Sequence, residues 1–114
     1  MAVKYILRLP KPSEARGAEP SLSFRSDGAD GLAEELQAAL REDTLFQRWR
    51  AMQEDPDEVD EALGATDPAA TVVGKQEDLT IELHATTSIS SGILKQRLKW
   101  LAGEHWVLAD VRNP

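Results

Sequence analysis

Apolar and polar residues alternate with a period of two in several parts of this chain, which is the pattern of a strand with one covered face. Near the start, Val3, Tyr5, Leu7 and Leu9 fall on one face, and Lys4, Ile6 and Arg8 fall on the other. The alternation returns at positions 79–86, where Leu79, Ile81, Leu83 and Ala85 form the apolar face. Polar residues between 75 and 79 predict a hairpin with an earlier run at 71–75. A final β-rich run covers 105–112, so four strands are predicted.

Apolar residues spaced three or four apart predict helices between these strands. The first stripe consists of Leu32, Leu36, Ala39 and Leu40, and a second, slightly out of phase, of Leu45, Phe46, Trp49 and Met52. The phase change predicts either a kink near Glu42 or two consecutive helices. A further stripe consists of Ile89, Ile93, Leu94, Leu98 and Leu101, and Gly103 is placed to end that helix with a positive φ.

The resulting order is β-α-β-β-α-β, the split βαβ or ferredoxin-like arrangement, in which a four-stranded antiparallel sheet carries two helices on one face. The alternation at 21–25 suits an additional short strand. Segments 10–20 and 54–70, which are rich in Pro, Gly and charge, are predicted to be loop-like. At 114 residues the chain fits one domain, residues 1–114.

The composition removes several kinds of chemistry. The chain contains no cysteine, which excludes disulfides, thiolate metal sites and a cysteine nucleophile. Lys4 and Arg8 interrupt the only apolar run near the start, and no run approaches the ~20 residues that span a bilayer. We therefore expect a cytoplasmic protein that does not act at a membrane.

The formal net charge of −7 is concentrated in the middle of the chain. Residues 27–78 contain fifteen acidic and four basic side chains, whereas the segments on either side are weakly basic. Such a field repels phosphates and attracts basic proteins, so nucleic acid is not an expected partner. The densest acidic run is a predicted docking segment for a basic protein, formed by Glu54, Asp55, Asp57, Glu58, Asp60 and Glu61.

Candidate chemistry is sparse. His84 and Glu82 share the polar face of one predicted strand, but two ligands do not make a metal site, so no metal, cofactor or catalytic residue is assigned. If Val107 and Val111 face the core, the open face of the sheet also contains Trp106 and Leu108. The predicted binding face then consists of Trp106, Leu108, His84, Glu82, Ile6 and Arg8.

These features favour a non-enzymatic interaction or regulatory protein that contacts a protein partner, either a basic protein or a second copy in a homodimer. The alternative is a small-molecule-binding protein or a cofactor-independent enzyme with a pocket between sheet and helices, using His84, Glu82, Tyr5 and Arg8. Nucleic-acid mimicry by the acidic run is a third interpretation. No motif in the sequence selects among these classes.

Overall fold

The strands and helices occur in the predicted order. A computed structural model describes residues 2–113, so the two terminal residues of the predicted domain lie outside it. Its elements are β1 (Val3–Leu9), α1 (Ala29–Arg41), α2 (Thr44–Ala51), β2 (Thr71–Glu77), β3 (Thr80–Thr87), α3 (Ser91–Ala102) and β4 (Val107–Arg112).

The four strands form one antiparallel sheet in the order β2-β3-β1-β4. Each half of the chain contributes two strands that run in the same direction with a strand from the other half between them. That interleaving is the split βαβ topology, so the predicted ferredoxin-like α+β fold is confirmed.

The core lies between one side of the sheet and the helices. The strand residues on this side include Tyr5, Leu7 and Leu9 of β1 and Ile81 and Leu83 of β3, all buried. They pack against the apolar stripes of the helices, whose buried members include Leu32, Leu36, Leu40, Leu94 and Leu98. The odd-numbered positions of β1 therefore face the core as the alternation predicts, and Lys4, Ile6 and Arg8 are left on the opposite side, here called the open face.

The phase change in the long apolar stripe marks a break between two helices. α1 ends at Arg41, Glu42 has an extended backbone, and α2 begins at Thr44. Of the two structures predicted for this stretch, two consecutive helices is the one that occurs.

Residues 21–25 form a turn and an irregular segment, so the additional strand predicted there is wrong. Leu22 and Phe24 are buried as an alternating pattern requires. However, the amide of Phe24 donates to the carbonyl of Leu101 at 2.9 Å, at the end of α3. The alternation here serves packing against a helix terminus, because within residues 2–113 no strand pairs with this segment.

The hairpin between β2 and β3 is tighter than predicted. Its loop has two residues, Asp78 and Leu79, and Asp78 has a φ of 55°. Leu79 is 84% exposed at the tip, so its predicted place on the core face is wrong. A two-residue loop leaves Glu77 opposite Thr80, which puts Leu79 in the turn instead of the strand.

A fully buried arginine ties α3 to the loop-like segment before β2. Arg97 donates from Nη1 to the carbonyl of Ala39 at 2.8 Å, and from Nη2 to the carbonyls of Leu63 and Ala65 at 2.8 and 2.6 Å. Ala39 lies in the last turn of α1, where carbonyls lack helical partners and a cation is favoured. Burial lowers the pKa of Arg97, and the charge of Asp43 opposes that shift.

The segment before β2 is also held at Asp67. Its Oδ2 accepts from the Ser88 amide at 2.9 Å and from the Thr87 hydroxyl at 2.8 Å, and its Oδ1 accepts from the Ala69 amide at 3.1 Å. The hydrogen bond from Ser88, followed by that from Thr87, holds the pKa of the Asp67 carboxyl below its usual value. This carboxylate thus joins the end of β3 to the chain that leads into β2.

The tryptophans of α2 and α3 are in contact. The rings of Trp49 and Trp100 stack with centroids 5.0 Å apart, and Phe46 lies 6.1 Å from Trp49. Trp100 is buried and Trp49 is partly buried, so the contact attaches the short α2 helix to the margin of the core.

Candidate functional site

The open face of the sheet brings together most of the polar side chains that the sequence analysis selected. The strand register aligns them in three cross-strand rows. In order from β2 to β4, the rows are Thr71, Thr86, Lys4 and Arg112; Val73, His84, Ile6 and Asp110; and Lys75, Glu82, Arg8 and Val107. Four of the six residues predicted to form a binding face, Ile6, Arg8, Glu82 and His84, are therefore neighbours.

Glu82 links Arg8 and His84 across this face. Its Oε2 accepts from Nη2 of Arg8 at 3.0 Å, and its Oε1 lies 3.1 Å from Nε2 of His84. The hydrogen bond from Arg8, followed by that from His84, keeps the pKa of Glu82 below its usual value, against the opposing effect of partial burial. Arg8 remains half exposed at its side chain, so the charge of this cluster is available at the surface.

His84 has one ring nitrogen without a partner. A carboxylate can only accept, so the bond to Glu82 places the hydrogen on Nε2 and leaves Nδ1 of the neutral ring as an acceptor. Among the described residues nothing donates to Nδ1, which is also shielded from solvent. Buried polar atoms are rarely unpaired, and those that are unpaired call for an explanation.

Apolar side chains complete the open face. Ile6 is only 5% exposed although it lies outside the main core cluster, and its cross-strand partners are His84 and Asp110. On either side of this centre, Val73 is 56% and Val107 is 49% exposed.

Sequence reasoning missed Val73 and Val107. Val72 and Val73 are adjacent, so periodicity alone does not say which one faces the core, whereas pairing with β3 puts Val73 beside His84. Val107 was predicted to face the core, and its pairing with Arg8 corrects that assignment. A hairpin prediction with the right two-residue turn would have located Val73.

Trp106 and Leu108 were predicted on the open face, and this placement is wrong. Leu108 pairs with the core residue Leu7, and both Trp106 and Leu108 pack against the core cluster. Nε1 of Trp106 donates to the carbonyl of Gly103 at 2.9 Å. The reason is a register shift of β4 against β1 between Ile6 and Leu7, which breaks the alternation that the prediction assumed.

The four polar groups proposed for a pocket between sheet and helices are divided between the two sides of the sheet. Tyr5 faces the core, and its hydroxyl donates to the carbonyl of Ile89 at 3.2 Å. Arg8, Glu82 and His84 are on the open face. A pocket that uses all four groups is therefore not formed.

The predicted acidic docking segment forms two short 3₁₀ turns, Pro56–Glu58 and Glu61–Gly64, on the surface. All six of its carboxylates are exposed. Two of them have local partners: Asp57 lies 3.7 Å from Arg50, and Asp60 accepts from the Ala62 amide at 2.9 Å. The segment lies among loops on the helix side and contributes nothing to the open face.

Within residues 2–113, no three histidine or carboxylate side chains lie close enough together to hold a metal ion. None of the helices in this part of the chain has the length and apolar character of a bilayer-crossing helix. No protein-family model, curated protein sequence or solved structure matches this chain significantly. The proposals below therefore rest on the residues alone.

Proposed function

We propose that this chain is a non-enzymatic interaction module that uses the open face of its sheet, and that its partner on this face is a second copy of the same chain. The observation that carries the proposal is the pair of half-exposed valines, Val73 and Val107, on either side of a centre whose charges are already paired. Such a surface combines apolar contact area with an ion pair, Arg8 and Glu82, that needs no new partner.

Charge supports a second copy as the occupant. The three rows, together with Glu77 at the end of β2, carry four basic and three acidic side chains, a net charge of +1, which leaves −8 for the rest of the chain. Two molecules of −7 repel each other less when they meet through this face than through their acidic sides. A two-fold contact joins the same surface of both copies, so that surface must complement itself. This face has both basic and acidic groups, which can pair across such a contact.

The size of the face sets the expected strength. Four strands at ~4.8 Å spacing and about six residues at ~3.3 Å rise give a projected area of roughly 400 Å² per copy. Stable interfaces bury about 1,200–2,000 Å² in total, so the association should be weak and concentration-dependent.

The test is the molar mass in solution, measured by sedimentation over a wide range of protein concentration. The wild-type chain should change from monomer to dimer as concentration rises, and Val73→Asp should remain monomeric because it adds a carboxylate to each side of the contact. Leu79→Asp is the matched control, since Leu79 is an exposed aliphatic residue at the hairpin tip. A wild-type chain that is monomeric throughout, or a Leu79→Asp variant that loses association as Val73→Asp does, contradicts the proposal.

A further inference from the structure

A second surface feature lies on the helix side, away from the open face. It is a groove of about 270 Å³ between residues 21–25, α1 and α2. Its floor is apolar and formed by the buried residues Leu22, Ala39, Leu45 and Leu101. Two arginines, Arg25 and Arg48, line its polar rim.

These two arginines differ from the others in the chain. Six of the eight arginines donate from their guanidinium groups to a carboxylate or a carbonyl oxygen within residues 2–113. In that part of the chain, Arg25 and Arg48 have no such bond, and both are exposed beside the same groove. A guanidinium is a planar fork that matches the two oxygens of a carboxylate.

In the described part of the chain, neither carboxylate that lines the groove accepts a hydrogen bond from these two guanidinium groups. Both oxygens of Glu35 accept from backbone amides, from Arg25 at 2.9 Å and from Ser26 at 3.1 Å, so Glu35 fixes the backbone that carries Arg25. Glu42 lies on the rim without a hydrogen bond from the described residues. The two arginines and the two carboxylates sum to zero formal charge, so an anion would be held by direct bonds to the guanidinium groups, and a dianion would be repelled by Glu35 and Glu42 more than a monoanion.

From this combination we infer that the groove binds a small monocarboxylate. Arg25 and Arg48 hold its charged group, and its apolar body lies on the floor formed by Leu22, Ala39, Leu45 and Leu101. The volume falls just under the ~300–1,000 Å³ of drug-sized pockets, which fits one ring or a short chain instead of a nucleotide. The open-face contact does not depend on this site.

Benzoate is a suitable probe, with benzamide as its uncharged analogue and inorganic phosphate as an anion without an apolar body. Amide and arginine Nε–H resonances would be followed by NMR during titration to about 50 mM, which detects affinities much weaker than ~1 mM. Benzoate should shift the signals of Ser23, Thr44 and the two arginines, and benzamide should not.

Arg25→Gln and Arg48→Gln should each weaken benzoate binding about tenfold, the typical effect of losing one hydrogen bond to a charged group. Lys95→Gln is the matched control, because Lys95 is exposed on α3 and does not line the groove, so this variant removes one positive charge outside the site. The same spectra report whether each variant is folded. The inference is overturned if benzoate causes no saturable shift, if both groove variants bind it as the wild type does, or if benzamide or phosphate binds as tightly.

Discussion

Replacing Arg97 by methionine tests whether this buried cation holds the loop before β2 to the helices. Methionine has a similar length and flexibility, so it fills most of the space while removing every donor. Three carbonyl oxygens, those of Ala39, Leu63 and Ala65, would lose a charged donor at 2.6–2.8 Å.

The expected loss follows from those three bonds. Hydrogen bonds to charged groups contribute about 1.5–3 kcal/mol each after desolvation is counted. The bond to Ala39 is buried, so its full contribution to stability is lost in the variant. The bonds to Leu63 and Ala65 are partly buried, so water can replace part of their contribution. After allowance for the apolar contacts that methionine makes, we expect the free energy of unfolding to fall by about 2–4 kcal/mol, or roughly 10 °C in Tm for a domain of this size.

The assay is urea unfolding followed by far-ultraviolet circular dichroism, with Lys95→Met as the control on the exposed side of the same helix. Lys95→Met should change the free energy of unfolding by less than about 0.5 kcal/mol. The free energy of unfolding of Arg97→Lys should lie between those of Arg97→Met and Lys95→Met, because one ammonium group cannot reproduce a guanidinium fork that reaches two separate segments. If Arg97→Met is as stable as Lys95→Met, Arg97 does not hold the segment.

Three further changes test other contacts. Asp67→Asn should make the free energy of unfolding depend less on pH in the acid range. The pKa of Asp67 is lowered in the folded chain, so its contribution to stability is complete above the unfolded pKa of about 4 and is lost as pH falls through the folded value. Urea unfolding from pH 6 to pH 2 would measure this dependence. Gly74→Ala should cost about 1–3 kcal/mol, because a Cβ there would collide with the carbonyl oxygen of Ala29, and thermal unfolding would show the loss. Gly92→Ala, a helical position with open space around it, should instead gain up to about 1 kcal/mol in the same assay. Equal Tm values for the two alanine variants would contradict the close approach of β2 to α1. If the stability of Asp67→Asn falls with pH as that of the wild type does, the Asp67 carboxylate does not stabilise the junction between β3 and the segment before β2.

The sequence was sufficient for the order of elements because β1, β3 and the helices each have a strong period of their own. The β1 and β3 alternations identify their covered sides, and the helical stripes identify the layer that covers them. Once the order β-α-β-β-α-β is known, short connections leave few arrangements of the sheet. The break between α1 and α2 was visible as well, since a change of phase cannot be accommodated by one straight helix.

Contacts between distant segments were not predictable in the same way. Arg97 is a charged residue between Lys95 and Lys99, and its burial depends on three carbonyls contributed by α1 and by the segment before β2. The alternation around Phe24 looked like a strand because burial next to a helix end produces the same pattern. Neither partner can be identified from the local sequence.

The candidate site was only partly predictable for a related reason. Ile6, Arg8, Glu82 and His84 were found together because their positions depend on alternation within β1 and β3. The prediction for β4 failed because the strand shifts register opposite Ile6 and Leu7. Asp110 and Val111, after the shift, lie on the predicted sides of the sheet, whereas Val107 and Leu108, before it, lie on the opposite sides. Arg25 and Arg48 are 23 positions apart in the sequence, and only the fold shows that they share a groove.

The stacked indoles of Trp49 and Trp100 give this protein an optical signal of its own. Two such rings at 5.0 Å couple their electronic transitions, and the coupling exists only while α2 remains attached to α3. The short α2 helix can therefore be monitored separately from the sheet, through the near-ultraviolet spectrum, without attaching any label. Detachment of α2 from α3 would change the near-ultraviolet spectrum before the backbone as a whole unfolds.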